Sequence, residues 1–302
     1  MSRSVTRPVM ELSRAAGRLG EGDFSARVTP SGSREIQQLG RSFNDMVPHM
    51  EDSVRLRQAM ALAHEVQHSL LPAAMPVLPG LDIAGTSRYC DETGGDYYDA
   101  IPDAHGQPGR LACMVGDVSG HGIDAALLMT TARAFLRMRS HQPGTPAQVI
   151  DEVNAFLASD TFGTGRFMTL FYLEFDTPGG PLHWVRAGHD PAIFYDSARD
   201  AFEELGGPGI PLGVLQDHAC RENSRPPLNP GDVLLIGSDG MWEARDPGGA
   251  MFGKERVRDI LRGNAHAPAA AIIAALLDVL DEFKDGRPVE DDVTLLVIKA
   301  IA

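Results

Sequence analysis

Apolar positions in this chain follow two different rhythms. Near the N-terminus the spacing is that of a packed helix seam. Val9, Leu12, Ala16 and Leu19 lie 3, 4 and 3 residues apart, and Ile36, Leu39, Phe43, Met46 and Met50 repeat at 3, 4, 3 and 4. Both are heptad seams. The stretch between them holds Gly20, Gly22, Pro30 and Gly32, too many breakers for a helix. Pro8 suits a helix start and Ser33 a helix cap, whereas Pro48 is expected to kink or end the second helix. Leu56, Met60, Ala63, Gln67 and Leu70 extend a helical pattern until Pro72, Pro76 and Pro79 stop it. Two helices of about two heptads bury little alone, so they need a partner, most simply a second copy.

From Gly80 onward short apolar runs alternate with helical patterns. Leu111–Val115, Phe167–Phe175, Leu182–Ala187, Ala192–Tyr195, Val233–Ile236 and Val293–Ile298 read as strands, and Pro178-Gly179-Gly180 as a turn between two of them. Ile123–Arg139, Pro146–Ser159 and Ala267–Lys284 read as helices. Helices in pairs between hairpin-linked strands predict α+β layers rather than a parallel sheet. The expected division is 1–52 for the dimerising segment, 53–78 for a helical linker and 79–302 for the second domain.

The 302 residues allow one large domain and a smaller element, and 43% hydrophobic residues supply a core. The formal net charge of −14 argues against nucleic acid as a partner, because phosphates must be neutralised by Lys and Arg. It would also repel a phosphorylated substrate at long range, so a metal would have to supply local positive charge. Cys90, Cys113 and Cys220 are odd in number and lack metal-ligand spacing, which predicts reduced thiols in the cytoplasm. The most apolar helix candidate, Ala269–Leu280, contains Asp278 and is much shorter than the ~20 residues of a membrane span. No apolar stretch follows Arg3 and Arg7 as a signal peptide would require.

The chemistry is concentrated in aspartates. Asp96 lies in Gly94-Gly95-Asp96, Asp117 in Gly116-Asp117-Val118-Ser119-Gly120-His121-Gly122, and Asp239 in Gly237-Ser238-Asp239-Gly240. The pair Asp291-Asp292 directly precedes the last apolar run. A lone Asp-Gly is most often a turn. Four acidic motifs at strand ends, three of them beside glycine, point instead to carboxylates converging on a cleft. Such groups repel one another unless a cation lies between them, and hard cations such as Mg2+ and Mn2+ take oxygen ligands.

Residues of roughly 5–52 resemble a HAMP domain, the two-helix relay of bacterial membrane receptors. Pro8, Gly22-Asp23-Phe24, Glu35-Ile36 and Phe43-Asn44-Asp45-Met46 carry the resemblance. It implies either the cytoplasmic part of a longer receptor or a soluble variant. A plain dimerising coiled coil is the alternative.

From about Leu81 to Ile298 the chain resembles the PPM family of metal-dependent protein serine/threonine phosphatases, in its bacterial sporulation-phosphatase branch. The matching stretches are Thr93–Asp99, Gly116–Gly122, Arg186-Ala187-Gly188-His189, Pro211-Leu212-Gly213, Gly237–Ala244, Phe252-Gly253 and Asp291–Thr294. The resemblance implies an αββα sandwich of two antiparallel sheets with helices outside. It also implies that Asp117 bridges two Mn2+ or Mg2+ ions, that Asp96 and the Val118 carbonyl complete one, and that Asp239 and Asp291 complete the other. Asp292 could exchange roles with Asp291, and Asp99 is expected to play a supporting part. His121 does not occupy the position of the acid used by animal members, which is Ser119 here. His189 is expected to be structural. No residue maps onto the phosphate-holding arginine of animal members, Arg88 being the one candidate. The implied activity is hydrolysis of phosphoserine or phosphothreonine in a protein substrate, an anti-sigma-factor antagonist in a partner-switching pathway. A catalytically inactive phosphatase fold that binds a partner is the alternative, and a two-metal nuclease is disfavoured by the acidic charge.

Overall fold

The computed structural model describes residues 3–176 and 179–302, with the side chains of residues 3 and 4 excepted. Pro178 of the expected turn lies outside the described residues. The chain divides into two compact units, up to Ala63 and from His64 onward.

The first unit is built from α1 (Arg3–Gly20) and most of α2 (Arg34–Leu70). Pro8 lies inside α1 rather than at its start, which corrects that expectation, and α2 continues past Pro48, so the proline does not end the helix. Proline lacks one N–H and crowds one turn, a cost of about 3 kcal/mol that packing along the rest of a helix can offset. The unit's own core consists of Ala15, Leu19, Ala26, Val28, Phe43 and Val47. Asn44 fastens the connector to α2, donating to the Val28 carbonyl at 2.8 Å and accepting from the Val28 N–H at 2.9 Å.

The second unit is the expected two-sheet sandwich. Its strands are β1 (Leu81–Arg88), β2 (Tyr97–Pro102), β3 (Leu111–Val118), β4 (Met168–Phe175), β5 (Leu182–Ala187), β6 (Ala192–Asp196), β7 (Ala201–Leu205), β8 (Glu222–Arg225), β9 (Val233–Gly237) and β10 (Val293–Ala300). One sheet has the order β1-β10-β9-β6-β7 and the other β2-β3-β4-β5-β8. All pairings between these strands are antiparallel. α3 (Ile123–Ser140) and α4 (Pro146–Thr161) pack on the second sheet, while α6 (Lys254–Asn264) and α7 (Ala269–Lys284) pack on the first. The single turn α5 (Gly240–Glu243) follows β9.

Side chains alternate along a strand, and here both faces of the central strands are buried. Leu234 and Ile236 of β9, with Leu296 and Ile298 of β10, enter the core between the sheets. Val233, Leu235, Val293, Leu295 and Val297 face α6 and α7 in a second core. That is why these segments are unbroken apolar runs. α4 begins with a reciprocal cap: Thr145 accepts from the Gln148 N–H, and the Gln148 side chain accepts from the Thr145 N–H.

Candidate metal centre

The antiparallel ladders bring four strand ends to one edge of the sandwich. Tyr97, the first residue of β2, pairs with Gly116 near the end of β3, and Gly237, the last of β9, pairs with Leu295 near the start of β10. Asp96 therefore lies beside Asp117, and Asp239 beside Asp291 and Asp292. Close backbone approach at this edge requires glycine. A Cβ on Gly95 would come within 2.6 Å of the Val118 carbonyl oxygen, and one on Gly240 would collide with the Asp292 carbonyl.

Asp96 is buried on the floor of the site, where its Oδ2 accepts from the Ser238 hydroxyl at 2.7 Å. Asp117 and Asp239 are partly exposed, and Asp291 is exposed. Asp292 is buried and occupied with backbone donors. Its Oδ1 accepts from the Cys90 N–H at 2.8 Å, and its Oδ2 from the N–H groups of Gly95 at 2.9 Å and Asp96 at 3.4 Å. The adjacent acids are thus in different settings. Asp291 is open to solvent and acts electrostatically on both Asp117 and Asp239, while Asp292 braces the 90–96 loop.

The electrostatics mark this as one site. Burial, then repulsion from Asp239, Asp291 and Asp292, raises the Asp117 carboxyl to about 8. Burial, then Asp291, Glu243 and Asp190, raises Asp239 to about 6. Asp96 is pushed well above the usual carboxylate range by burial, then by Asp117 and Asp292. A cation among these groups would relieve the repulsion. Among the described residues no three acidic, imidazole or thiol side chains already enclose one ion position. The donor set, all oxygen, fits Mg2+ or Mn2+.

The other singled-out residues fall outside this carboxylate cluster. Asp99 is fully buried and accepts from the Tyr97 hydroxyl at 2.6 Å and from Arg137 of α3 at 3.0 Å. Arg88 pairs with Asp281 of α7 at 2.8 Å. His121 is exposed, with its Nδ1 2.6 Å from Asp91. His189 is buried between the Thr169 hydroxyl and the Gly237 carbonyl. Two residues at the site were missed in the sequence. Ser238 both donates to Asp96 and accepts from the Thr294 N–H at 2.9 Å. Gln67, near the end of α2, is buried with its amide on both backbone groups of Gly94. Its one signal was a polar residue in an apolar helical register.

Comparison with known proteins agrees with this geometry. A HAMP domain model matches residues 1–47. Phosphoserine phosphatase RsbU of Bacillus subtilis (strain 168) is 25% identical over 244 residues, which cover 81% of this chain and 70% of RsbU. The RsbU and RsbW domains of Rv1364c from Mycobacterium tuberculosis align with a TM-score of 0.64 and 28% identity, covering 77% of this chain and 63% of that one. The SiaA-PP2C domain of Pseudomonas aeruginosa shares the fold at a TM-score of 0.71 and 24% identity, covering 82% of this chain and 98% of that one. The stage II sporulation protein E (SpoIIE) model matches residues 107–301, more than half of the chain, which therefore belongs to the SpoIIE family of PP2C-type phosphatases.

Proposed function

We propose that this chain is a metal-dependent protein phosphatase of bacterial signalling that hydrolyses phosphoserine or phosphothreonine. The observation that carries the reading is the cluster of mutually repelling carboxylates, Asp96, Asp117, Asp239 and Asp291, at one edge of a PP2C-type sandwich. Asp117 would serve two ions, with Asp96 and the Val118 carbonyl on one side and Asp239 and Asp291 on the other. Mg2+ or Mn2+ held there would lower the pKa of water and neutralise phosphoryl charge. The protein's own part is positional. Asp292 fixes the 90–96 loop through three backbone N–H groups, and Ser238 orients Asp96.

The substrate proposed is a phosphorylated anti-sigma-factor antagonist in a partner-switching pathway. RsbU is named a phosphoserine phosphatase, which supports a phosphoserine-bearing substrate. Phosphorylated antagonist proteins from the same genome, incubated with the chain and Mn2+, should lose phosphate. An inactive partner-binding switch would release none, from them or from an aryl phosphate.

The helices of the first unit are proposed to form a parallel homodimer that regulates the site. Val9 is 44% exposed, Leu39 53% and Met46 44%. These residues, with Leu12, Ala16 and Phe43, line an apolar groove of about 430 Å3. A second copy presenting the same seams would fill it. No helix among the described residues is long and apolar enough to cross a membrane. A cytoplasmic setting, free or beneath a membrane receptor, suits the free cysteines and the HAMP match.

A further inference from the structure

The acids proposed to hold ions come from two sheets, so their separation depends on contacts that cross between sheets. Thr169 of β4 lies directly opposite Asp117 in the β3–β4 register. Gly237 ends β9, two residues before Asp239. His189 joins the two. Its Nε2 is 3.1 Å from the Gly237 carbonyl oxygen, which can only accept, so Nε2 carries the proton. Nδ1 is then the acceptor for the Thr169 hydroxyl at 2.8 Å.

We infer that His189 is a positioning residue that sets the spacing between Asp117 and Asp239, acting as a neutral strut from Thr169 in one sheet to Gly237 in the other. The inference rests on the phosphatase reading. Both ring nitrogens are committed within the protein, so His189 has no proton to exchange with a substrate.

The surrounding loop holds the ring in place. Gly188 has a φ of +72°, and a Cβ there would meet Pro211 at 2.6 Å. Arg186 donates to the Gly207 carbonyl at 2.8 Å and to the carbonyl of His189 itself. His189 is 3% exposed, and burial lowers its pKa to about 4, so the ring stays neutral through the working range.

The test uses the full chain with Thr169→Val, Thr169→Ser, His189→Phe, His189→Gln and the Thr169→Val/His189→Phe double variant. Mn2+ binding is measured by titration calorimetry, and kcat and KM with an aryl phosphate. Outer contacts that orient ion-holding groups are worth about 10–100-fold in affinity or activity. Thr169→Val and His189→Phe should each cost about that much in Mn2+ affinity or kcat, with KM changing only about threefold. Thr169→Ser, which keeps the hydroxyl, should behave as wild type. Two changes within one strut should not add, so the double variant should be no worse than the worse single one. Should His189→Phe fail to fold, the near-isosteric Thr169→Val and the hydrogen-bonding His189→Gln carry the test. Wild-type Mn2+ affinity and kcat in Thr169→Val would overturn the inference, as would fully additive losses in the double variant. A wild-type chain inactive with every ion and substrate would instead overturn the phosphatase reading, and the Mn2+ affinities would still test the strut.

Discussion

Gln67 holds both backbone groups of Gly94. Its side-chain amide donates to the Gly94 carbonyl at 2.6 Å and accepts from the Gly94 N–H at 3.2 Å. Gly94 is two residues from Asp96, so the end of α2 is tied to the loop that supplies an acid. Gln67→Leu would leave two buried backbone groups without partners, and one such group costs about 1–3 kcal/mol. The variant should unfold at lower urea, and its turnover should fall as Asp96 loses support. An unchanged urea midpoint together with wild-type kcat would show that this contact is dispensable.

Activity should depend on a divalent cation. Chelator should abolish turnover, and Mn2+ or Mg2+ should restore it. Asp117→Ala should remove nearly all activity, because that residue is assigned to both ions. The Asp117 carboxyl is raised to about 8, so near neutrality it retains a proton that a cation must displace. Ion affinity should therefore increase from pH 6 to pH 8, with proton release visible by calorimetry in buffers of different ionisation enthalpy. Full activity in Asp117→Ala or Asp239→Ala would sink the ion assignment.

The residues of the site differ in how plainly the sequence marks them. Asp96, Asp117 and Asp239 stand out in the sequence because glycine flanks them, and glycine is needed where Gly95 meets the Val118 carbonyl and Gly240 the Asp292 carbonyl. The central strands β4, β9 and β10 were legible because burial on both faces makes them unbroken apolar runs. β7 and β8 are edge strands with sequences Ala201–Leu205 and Glu222–Arg225, too polar to show a pattern. β1 and β2 were also missed, since glycine and polar residues interrupt β1 and Asp99 interrupts β2. Asp291 and Asp292 could not be told apart in the sequence, because neighbouring side chains in extended backbone point opposite ways. Only the fold shows which of the two meets the N–H groups of Cys90, Gly95 and Asp96. Gln67 was hidden because its partner lies 27 residues away.

His121 should be dispensable for the chemical step. Its Nδ1 is paired with Asp91 at 2.6 Å, and the side chains are 70% and 46% exposed. An exposed pair contributes about 0–1 kcal/mol. His121→Ala should therefore lower kcat less than about tenfold. General acid catalysis is worth roughly 10²–10⁴-fold, so a 10³-fold loss with an intact fold would assign His121 that role.

Acid should destabilise the protein through His189. Burial lowers its pKa to about 4, below the 6.5 usual for histidine. Below pH 6.5 the unfolded chain takes up a proton that the folded chain refuses, so stability is full above 6.5 and is lost as pH falls towards 4. From pH 7 to pH 5 this residue should cost about 2 kcal/mol. Urea titrations at the two pH values should show a smaller loss in His189→Gln, which has no group titrating there. Equal losses in the two proteins would place the acid sensitivity elsewhere.

Control by the first unit is best tested at Leu39. Phe43 belongs to the unit's own core, so its substitution would confuse unfolding with dissociation. Leu39 is 53% exposed on the same seam and contributes to the groove rather than to that core. A charge at a seam position of a coiled coil opposes association, so Leu39→Glu should shift the chain from dimer to monomer in sedimentation. If the dimer biases the metal centre, kcat should change with that shift. Deleting residues 1–63 retains Gln67 and its hold on Gly94, and it should give a monomer whose kcat is independent of protein concentration. The full chain should show concentration dependence across its dimerisation range. Should Leu39→Glu, the truncated chain and the wild type share one oligomeric state and one kcat, regulation by the helical unit is wrong, while the phosphatase assignment remains intact.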